Sequence, residues 1–346
     1  MLGMAAVFAV GIIIYSRMTV SMQENFKYAL SEARELGQYA LIEKIGEGGM
    51  GIVYKATHKM MHRDTALKLL KNEACSDRDL KLFENEVRQT CKLNHPNTIR
   101  VYDYGKTDDG TFYYVMEYLE GMELDDIIKN IGAMPPSRVI HFLKQICASL
   151  NEAHKAGLVH RDIKAQNIFI TNIGEEYDVV KVLDFGLVRE VSDTDNSMVD
   201  NVSGTPRYMS PEAVLHPRDV DHLTDIYAIG ILGFFMLTGD YPFSGSTPVA
   251  ILMKHVNKTA PRPSLFLDEP LPKDLEDIIM KCLEKEKENR PQSTKEIISM
   301  LEKCEDYLAW TPSNAEKWWG KNSDDNNAVD EEASTQIEHT IQIKLS

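Results

Sequence analysis

The chain has 346 residues, of which 43% are apolar and 26% charged, and a formal net charge of −15. That length and apolar content supply ordinary buried cores and exclude a wholly disordered chain. The acidic balance excludes nucleic acid as the main partner, because that role needs a basic stripe to neutralise phosphates. The five cysteines, Cys75, Cys91, Cys147, Cys282 and Cys304, form no CxxC pair and read as reduced, small buried residues of a cytosolic domain.

The first run, MLGMAAVFAVGIIIY, carries no charge before Arg17. As a helix Leu2 to Tyr15 would rise about 21 Å, short of the ~30 Å hydrocarbon core, and continuing to Val20 with Arg17 snorkelling would span it. A transmembrane helix over residues 1–20 is therefore expected, with a buried core helix as the alternative. A cleaved signal peptide does not fit, since no Lys or Arg precedes the run and no small-residue cleavage site follows it. From Ser21 to Leu36, Phe26, Ala29, Leu30, Ala33 and Leu36 share one side, which predicts an amphipathic juxtamembrane helix over 21–38, ended at Gly37.

From Tyr39 apolar residues alternate around a glycine-rich turn and continue into ALKLL, the pattern of strands. Asp77 to Leu93 has helical spacing, and HPNTI, FYYVMEYL and a short helix from Leu124 lead into a helix-rich region beginning near Ser137. IYAIGILGFFMLTG is apolar almost all round, which predicts a buried helix, and Asp225 just ahead of it argues against a second membrane span. Region 302–346 contains KNSDDNNAVDEEAS, acidic and poor in large apolar residues, and is expected to be a flexible tail. No internal repeat is evident.

Three motifs carry chemistry. GEGGMGIV places Gly46, Gly48 and Gly51 between strand-like stretches, and glycine is needed where backbone N–H groups approach phosphates without a Cβ in the way. A dinucleotide-binding turn would open a helix, whereas IVYKA returns as a strand. HRDIKAQN is followed by VLDFG, a spacing that can place the carboxylates of Asp162 and Asp184 and the amide of Asn167 around one metal-bound nucleotide. GTPRYMSPE closes the segment that follows.

With these motifs in this order, roughly Tyr39 to Leu301 resembles the eukaryotic-like, bacterial-type serine/threonine protein kinases. The resemblance implies an α+β, bilobal fold with a small β-rich N-lobe (39–117) and a large helical C-lobe (121–301). It implies transfer of the ATP γ-phosphate to protein Ser/Thr hydroxyls with Mg²⁺, or Mn²⁺, as cofactor. In that template Asp162 is the catalytic base, Lys164 sits near the γ-phosphate, and Asn167 and Asp184 hold metal. Lys68 bridges the α- and β-phosphates and pairs with Glu86, preferred to Glu84 because it lies nine positions before His95 of the HPN turn. Thr205 joins Asp162 and Lys164. Ile45, Val53, Ala66 and Phe169 sandwich the purine below Gly46, Gly48 and Gly51, Met116 is the gatekeeper, Glu117 and Leu119 offer backbone groups to adenine, and Glu123 meets the ribose. His160 is a core residue, and Glu212 pairs with Arg290. Lys164, two residues after the aspartate, resembles serine/threonine rather than tyrosine kinases, while Ala165 departs from the family's common proline.

Arg161 resembles the arginine that pairs with phosphate on the activation segment, where Ser192, Thr194, Ser197 and Ser203 are candidate phosphosites and Ser197 the preferred one. Protein substrates, a homodimer for trans-autophosphorylation, and a cell-membrane location with the kinase domain in the cytoplasm complete the expectation; without a true anchor the protein would be cytoplasmic. A pseudokinase would have lost Lys68, Asp162, Asn167 or Asp184, and a small-molecule kinase would lack the GT…SPE segment. Neither loss has occurred.

Overall fold

A computed structural model describes residues 35–48, 51–70, 87–107, 110–185 and 206–322. The apolar run at 1–20, the juxtamembrane helix up to residue 34, Glu86, the candidate phosphosites, Thr205 and the acidic end after 322 lie outside the described residues. The described residues fall into two compact units, those of 1–75 with 101–118 and those of 76–100 with 119–346.

The described residues of the first unit form one antiparallel sheet. Its strands are β1 (Glu35–Leu36), β2 (Tyr39–Gly48), β3 (Gly51–His58), β4 (Arg63–Leu70), β5 (Val101–Lys106) and β6 (Phe112–Glu117), in the order β1-β2-β3-β4-β6-β5. Because side chains alternate across a strand, the register assigns faces. Leu67 pairs with Val115, and together with Ala56 and Tyr39 these residues build a small core on one face. Val53 pairs with Lys68 and Ala66 with Met116, which puts that set on the other face.

One sequence expectation changes here. Glu35 and Leu36, expected at the end of a helix, form a strand paired with Ala40 and Tyr39, and Gly37 is a hairpin residue with φ +58° rather than a helix stop. Leu36 packs against the small core, and that burial outweighs a helical preference in so short a segment.

The second unit holds a three-stranded sheet, β7 (Gly121–Glu123), β8 (Ile168–Ile173) and β9 (Glu176–Val182), in that order. Its helices include α1 (Leu124–Asn130), α2 (Pro136–Lys155), α3 (Pro211–Leu215), α4 (Leu223–Thr238), α5 (Pro248–Asn257), α6 (Lys273–Cys282) and α7 (Thr294–Leu301). In α2 the buried positions Val139, Ile140, Phe142, Leu143, Ile146, Cys147 and Leu150 recur at helical spacing, so one stripe faces the core. Every residue of α4 from Leu223 to Leu237 is buried, as its apolar run predicts, and Gly239 ends it with φ +73°.

Two boundaries differ from expectation. Residues 87–100, assigned by sequence to the N-lobe, cluster with the second unit because the HPN turn is bonded into it. Asn97 Nδ2 donates to Gln145 Oε1 (2.7 Å) and to the Val180 carbonyl (2.8 Å), and the backbone N–H of His95 donates to Glu152. The flexible tail does not begin at 302. Residues 312–322 are helical, Ala315 is buried, and Tyr307, Trp318 and Trp319 pack against the main core. The aromatic residues ahead of the acidic stretch supply the apolar surface that an acidic composition alone would lack.

Candidate functional site

On the first unit, the β2–β3 hairpin carries the glycines, with Gly46 opposite Val53 and Gly48 opposite Gly51. Antiparallel pairing puts Gly46, Val53, Lys68 and Tyr114 in one row across four strands, with Ala66 and Met116 in the next row on the same face. The sheet thus gathers five of the residues expected to line a nucleotide. Lys68 is 8% exposed, its Nζ 5.8 Å from the centre of the Tyr114 ring. A buried ammonium needs anionic or π partners to offset lost hydration, which suits it to phosphate. Ile45 is largely exposed beside the hairpin's irregular register, and Glu117 ends β6.

On the second unit, the loop from His160 to Asn167 joins α2 to β8. Asp225, at the start of α4 and 1% exposed, accepts the backbone N–H groups of His160 and Arg161, both at 2.8 Å, and contacts His154 Nε2 at 2.8 Å. Burial works to raise the Asp225 carboxyl, but these donors outweigh it and hold the group below its ordinary value. Arg161, with φ +61°, is left-handed, a conformation that costs a non-glycine residue and persists only where surroundings fix it. The anchored N–H groups supply that fixing.

His160 is fully buried, and its Nδ1 accepts the N–H of Asp162 (3.2 Å) while Nε2 meets the Leu183 carbonyl (2.8 Å). That pattern assigns the proton to Nε2. Burial lowers its basicity, so the ring is neutral and structural, as the sequence suggests. Asp162 Oδ2 accepts from Lys164 Nζ (2.9 Å) and from Asn167 Nδ2 (3.1 Å), and Asn167 also donates to the Asp162 carbonyl (2.7 Å). The Asn167 carbonyl accepts the N–H of Leu183 at 2.8 Å, which brings the strand end carrying Asp184 to the loop. Asp184 has φ +50°, a second left-handed residue at the same place.

Asp162, Lys164, Asn167 and the Asp184 backbone are therefore brought together at one loop and one strand end. Phe169 pairs with Glu123 across β8 and β7, and burial with the neighbouring Asp126 and Asp125 pushes the Glu123 carboxyl up. Leu119 lies ahead of β7, outside any strand. Glu86 and Thr205 lie outside the described residues. Asn167 carries an amide oxygen and Asp184 a carboxylate, and oxygen donors of this kind would suit a hard divalent cation that keeps waters and takes its remaining ligands from phosphate. Arg290, buried, closes on Glu212 with two 2.8 Å bonds. The residue that sequence reasoning missed is Asp225; its signal was a lone acid opening an otherwise wholly apolar helix.

Residues 39–301 match the family model described as the protein kinase domain. A probable serine/threonine-protein kinase of Clostridium perfringens is 40% identical over 267 residues, 77% of this chain and 38% of that protein. Serine/threonine-protein kinase PknB of Mycobacterium tuberculosis is 38% identical over 266 residues, 75% of this chain and 42% of that protein. The chain thus spans about two fifths of the length of these relatives. A crystal structure of the Mycobacterium tuberculosis PknI kinase domain shares the fold, with TM-score 0.60 and 23% identity over 77% of this chain and 96% of that one.

Proposed function

Because the chain belongs to the protein kinase family, in its bacterial serine/threonine branch, we propose that it transfers the γ-phosphate of ATP to serine and threonine hydroxyls of proteins. The observation that carries the reading is the Asp162 carboxylate, held between Lys164 and Asn167 on a loop whose backbone is bound by buried Asp225. Fixed donors of this kind hold the base without reorganisation during reaction.

Asp162 orients the substrate hydroxyl and accepts its proton as the phosphoryl group leaves ATP in line through a loose transition state. Lys164 places positive charge next to the same carboxylate. Lys68 binds phosphate oxygens from the sheet face that also carries Val53, Ala66 and Met116, and the glycine hairpin brings backbone N–H groups to the phosphates. Asn167 and Asp184 are the residues that would hold Mg²⁺, or Mn²⁺ in its place, and the ion when bound offsets phosphate charge.

Regulation follows from Arg161, whose backbone is pinned by Asp225 and whose side chain is a guanidinium suited to phosphate. Phosphate on Ser197, Ser203 or Thr194, placed by a second copy of the chain in a transient homodimer, raises activity. Residues 1–20 anchor the chain in the cell membrane with the kinase domain in the cytoplasm. The support for that is composition alone; among the described residues no helix is long and apolar enough to cross a membrane, and residues 1–34 lie outside them.

The test is phosphate transfer to a generic basic protein with Mg²⁺ and ATP, comparing wild type with Asp162→Asn and Lys68→Met. Losses of at least a hundredfold are expected in both, and equal incorporation by all three would remove the reading. For the anchor, full-length protein should stay in the membrane pellet through an alkaline carbonate wash while a chain beginning at Gly37 is soluble; a soluble full-length monomer would remove the anchor and leave the kinase reading intact.

A further inference from the structure

All three tryptophans of the chain, Trp310, Trp318 and Trp319, lie beyond residue 301, where the match to the protein kinase domain ends. They converge on a single buried ion pair. Arg138 on α2 and Asp178 on β9 are 1% and 0% exposed, and the guanidinium donates through Nε and Nη2 to the two carboxylate oxygens at 2.9 and 2.7 Å. Trp310 Nε1 donates to Oδ2 at 3.0 Å and Trp319 Nε1 to Oδ1 at 2.7 Å, so the carboxylate receives four bonds, two of them from outside the matched domain. The Trp318 ring centre lies 3.7 Å from Arg138 Cζ, close enough for a cation–π contact. A buried pair is a net cost unless its remaining hydrogen-bonding capacity is met, and here the indoles meet it.

From Asp178 an unbroken series of bonds runs to the site. The Asp178 carbonyl accepts from Gln145 Nε2 at 2.9 Å, and Gln145 Oε1 accepts both the Val180 N–H at 2.9 Å and Asn97 Nδ2 at 2.7 Å. The Val182 N–H donates to the Asn97 carbonyl at 2.8 Å and the Val182 carbonyl accepts from the Ile99 N–H at 3.0 Å. One residue further, the Leu183 N–H reaches the Asn167 carbonyl, and Asp184 follows. β9 is thus gripped at its start by the indoles, in its middle by the HPN turn, and at its end by the loop that carries Asp162.

We propose that the segment 302–322 is a positioning strap for phosphoryl transfer, in which Trp310 and Trp319, acting through Asp178, fix the register of β9 and thereby hold Asp184 beside Asp162 and Asn167. The proposal rests on the kinase reading for its meaning, but its hydrogen-exchange test does not. Tyr307 holds the strap down at another point, through Lys144 of α2, and Trp318 stacks on Arg138 without donating to Asp178, so the indole N–H groups of Trp310 and Trp319 can be removed without stripping these contacts.

In the full-length chain Trp310→Phe with Trp319→Phe keeps aromatic bulk and deletes both donors, and Trp318→Phe, which deletes neither, is the control. Amide hydrogen exchange at Val180, Val182 and Leu183 should accelerate about tenfold or more in the double variant while the amides of Ile226 to Leu237 in α4 keep their protection. The Mg²⁺ concentration that half-saturates ATP binding should rise several-fold, and the Trp318→Phe protein should match wild type in both. A merely structural cap would speed exchange equally in β9 and α4, or in neither, and either result overturns the proposal. A wild type that binds ATP but phosphorylates no protein would sink the function and leave the exchange result standing.

Discussion

Arg290 and Glu212, separated by 78 positions in sequence, meet in a two-point ion pair with both N–O distances at 2.8 Å. The guanidinium is fully enclosed and also donates to the carbonyls of Leu223, Glu284 and Lys285. Burial works to raise the Glu212 carboxyl, and Arg290 outweighs it, leaving the group below its ordinary value. Removing one partner of such a pair strands the other, at a cost of about 3–5 kcal/mol. Arg290→Ala should therefore lower Tm by many degrees, and Arg290→Lys should recover only part of the loss because an ammonium cannot meet both oxygens and three carbonyls. Thermal unfolding of the three proteins checks this; an unshifted Arg290→Ala would show the pair to be dispensable.

Asp225 gives a prediction that separates support of the loop from chemistry. Its carboxylate accepts two backbone N–H groups and contacts His154, and charge-assisted bonds of this kind contribute about 1.5–3 kcal/mol each. Asp225→Asn exchanges one acceptor oxygen for a donor that faces an N–H or His154. The expected outcome is a fall in phosphate transfer of tenfold or more accompanied by a lower Tm, whereas Asp162→Asn loses transfer with Tm nearly unchanged. Identical thermal profiles for the two variants would contradict the anchoring role.

What the sequence discloses about this molecule follows from how local each signal is. Asp162, Asn167 and Asp184 were legible because short motifs fix them on loops, and the buried α4 because its apolar run is continuous. The Glu212–Arg290 pair was legible only through family resemblance, since nothing local links residues 78 apart. β1 was misread because two residues carry no periodicity, and a glycine serves a hairpin as well as a helix end. The strap was missed because the acidity after residue 322 dominated the composition of the tail. Its own signal was three tryptophans within ten positions, which seldom occur in a segment without a surface to cover.

Acid stability should report the buried histidines. His255 is fully buried, shares a hydrogen bond with the Tyr227 hydroxyl at Nδ1 (2.9 Å), and is pushed down to about 3 by burial, with Lys285 adding to the effect. His160 and His141 are lowered by burial in the same direction. In the unfolded chain a histidine titrates near 6.5, so between about 6.5 and 3 the unfolded state holds a proton that folded His255 does not. Stability must fall as pH falls through that window, by about 1.4 kcal/mol per pH unit for each such proton, and is unaffected by these groups above it. Urea unfolding at pH 7, 6 and 5 should show a shallower decline for His255→Asn than for wild type, by about one proton. Parallel curves would mean that His255 titrates alike in the folded and unfolded chains.

The glycine hairpin allows the phosphate contact to be separated from the fold. A Cβ placed on Gly51 would lie 2.1 Å from the Leu69 carbonyl oxygen and 3.1 Å from its carbon, so the β3 backbone could accommodate alanine only by moving away from β4. A Cβ on Gly48, its partner across the hairpin, meets nothing within 4 Å. If the two glycines serve only the hairpin, Gly51→Ala should destabilise the sheet and Gly48→Ala should be silent. If the hairpin also approaches phosphate, the added methyl at Gly48 occupies the space where the backbone and the nucleotide meet. We expect Gly48→Ala to raise KM for ATP several-fold with Tm unchanged, and Gly51→Ala to lower Tm as well as activity. Nucleotide titration beside thermal unfolding decides it, and a Gly48→Ala protein with wild-type KM would detach the glycines from nucleotide binding.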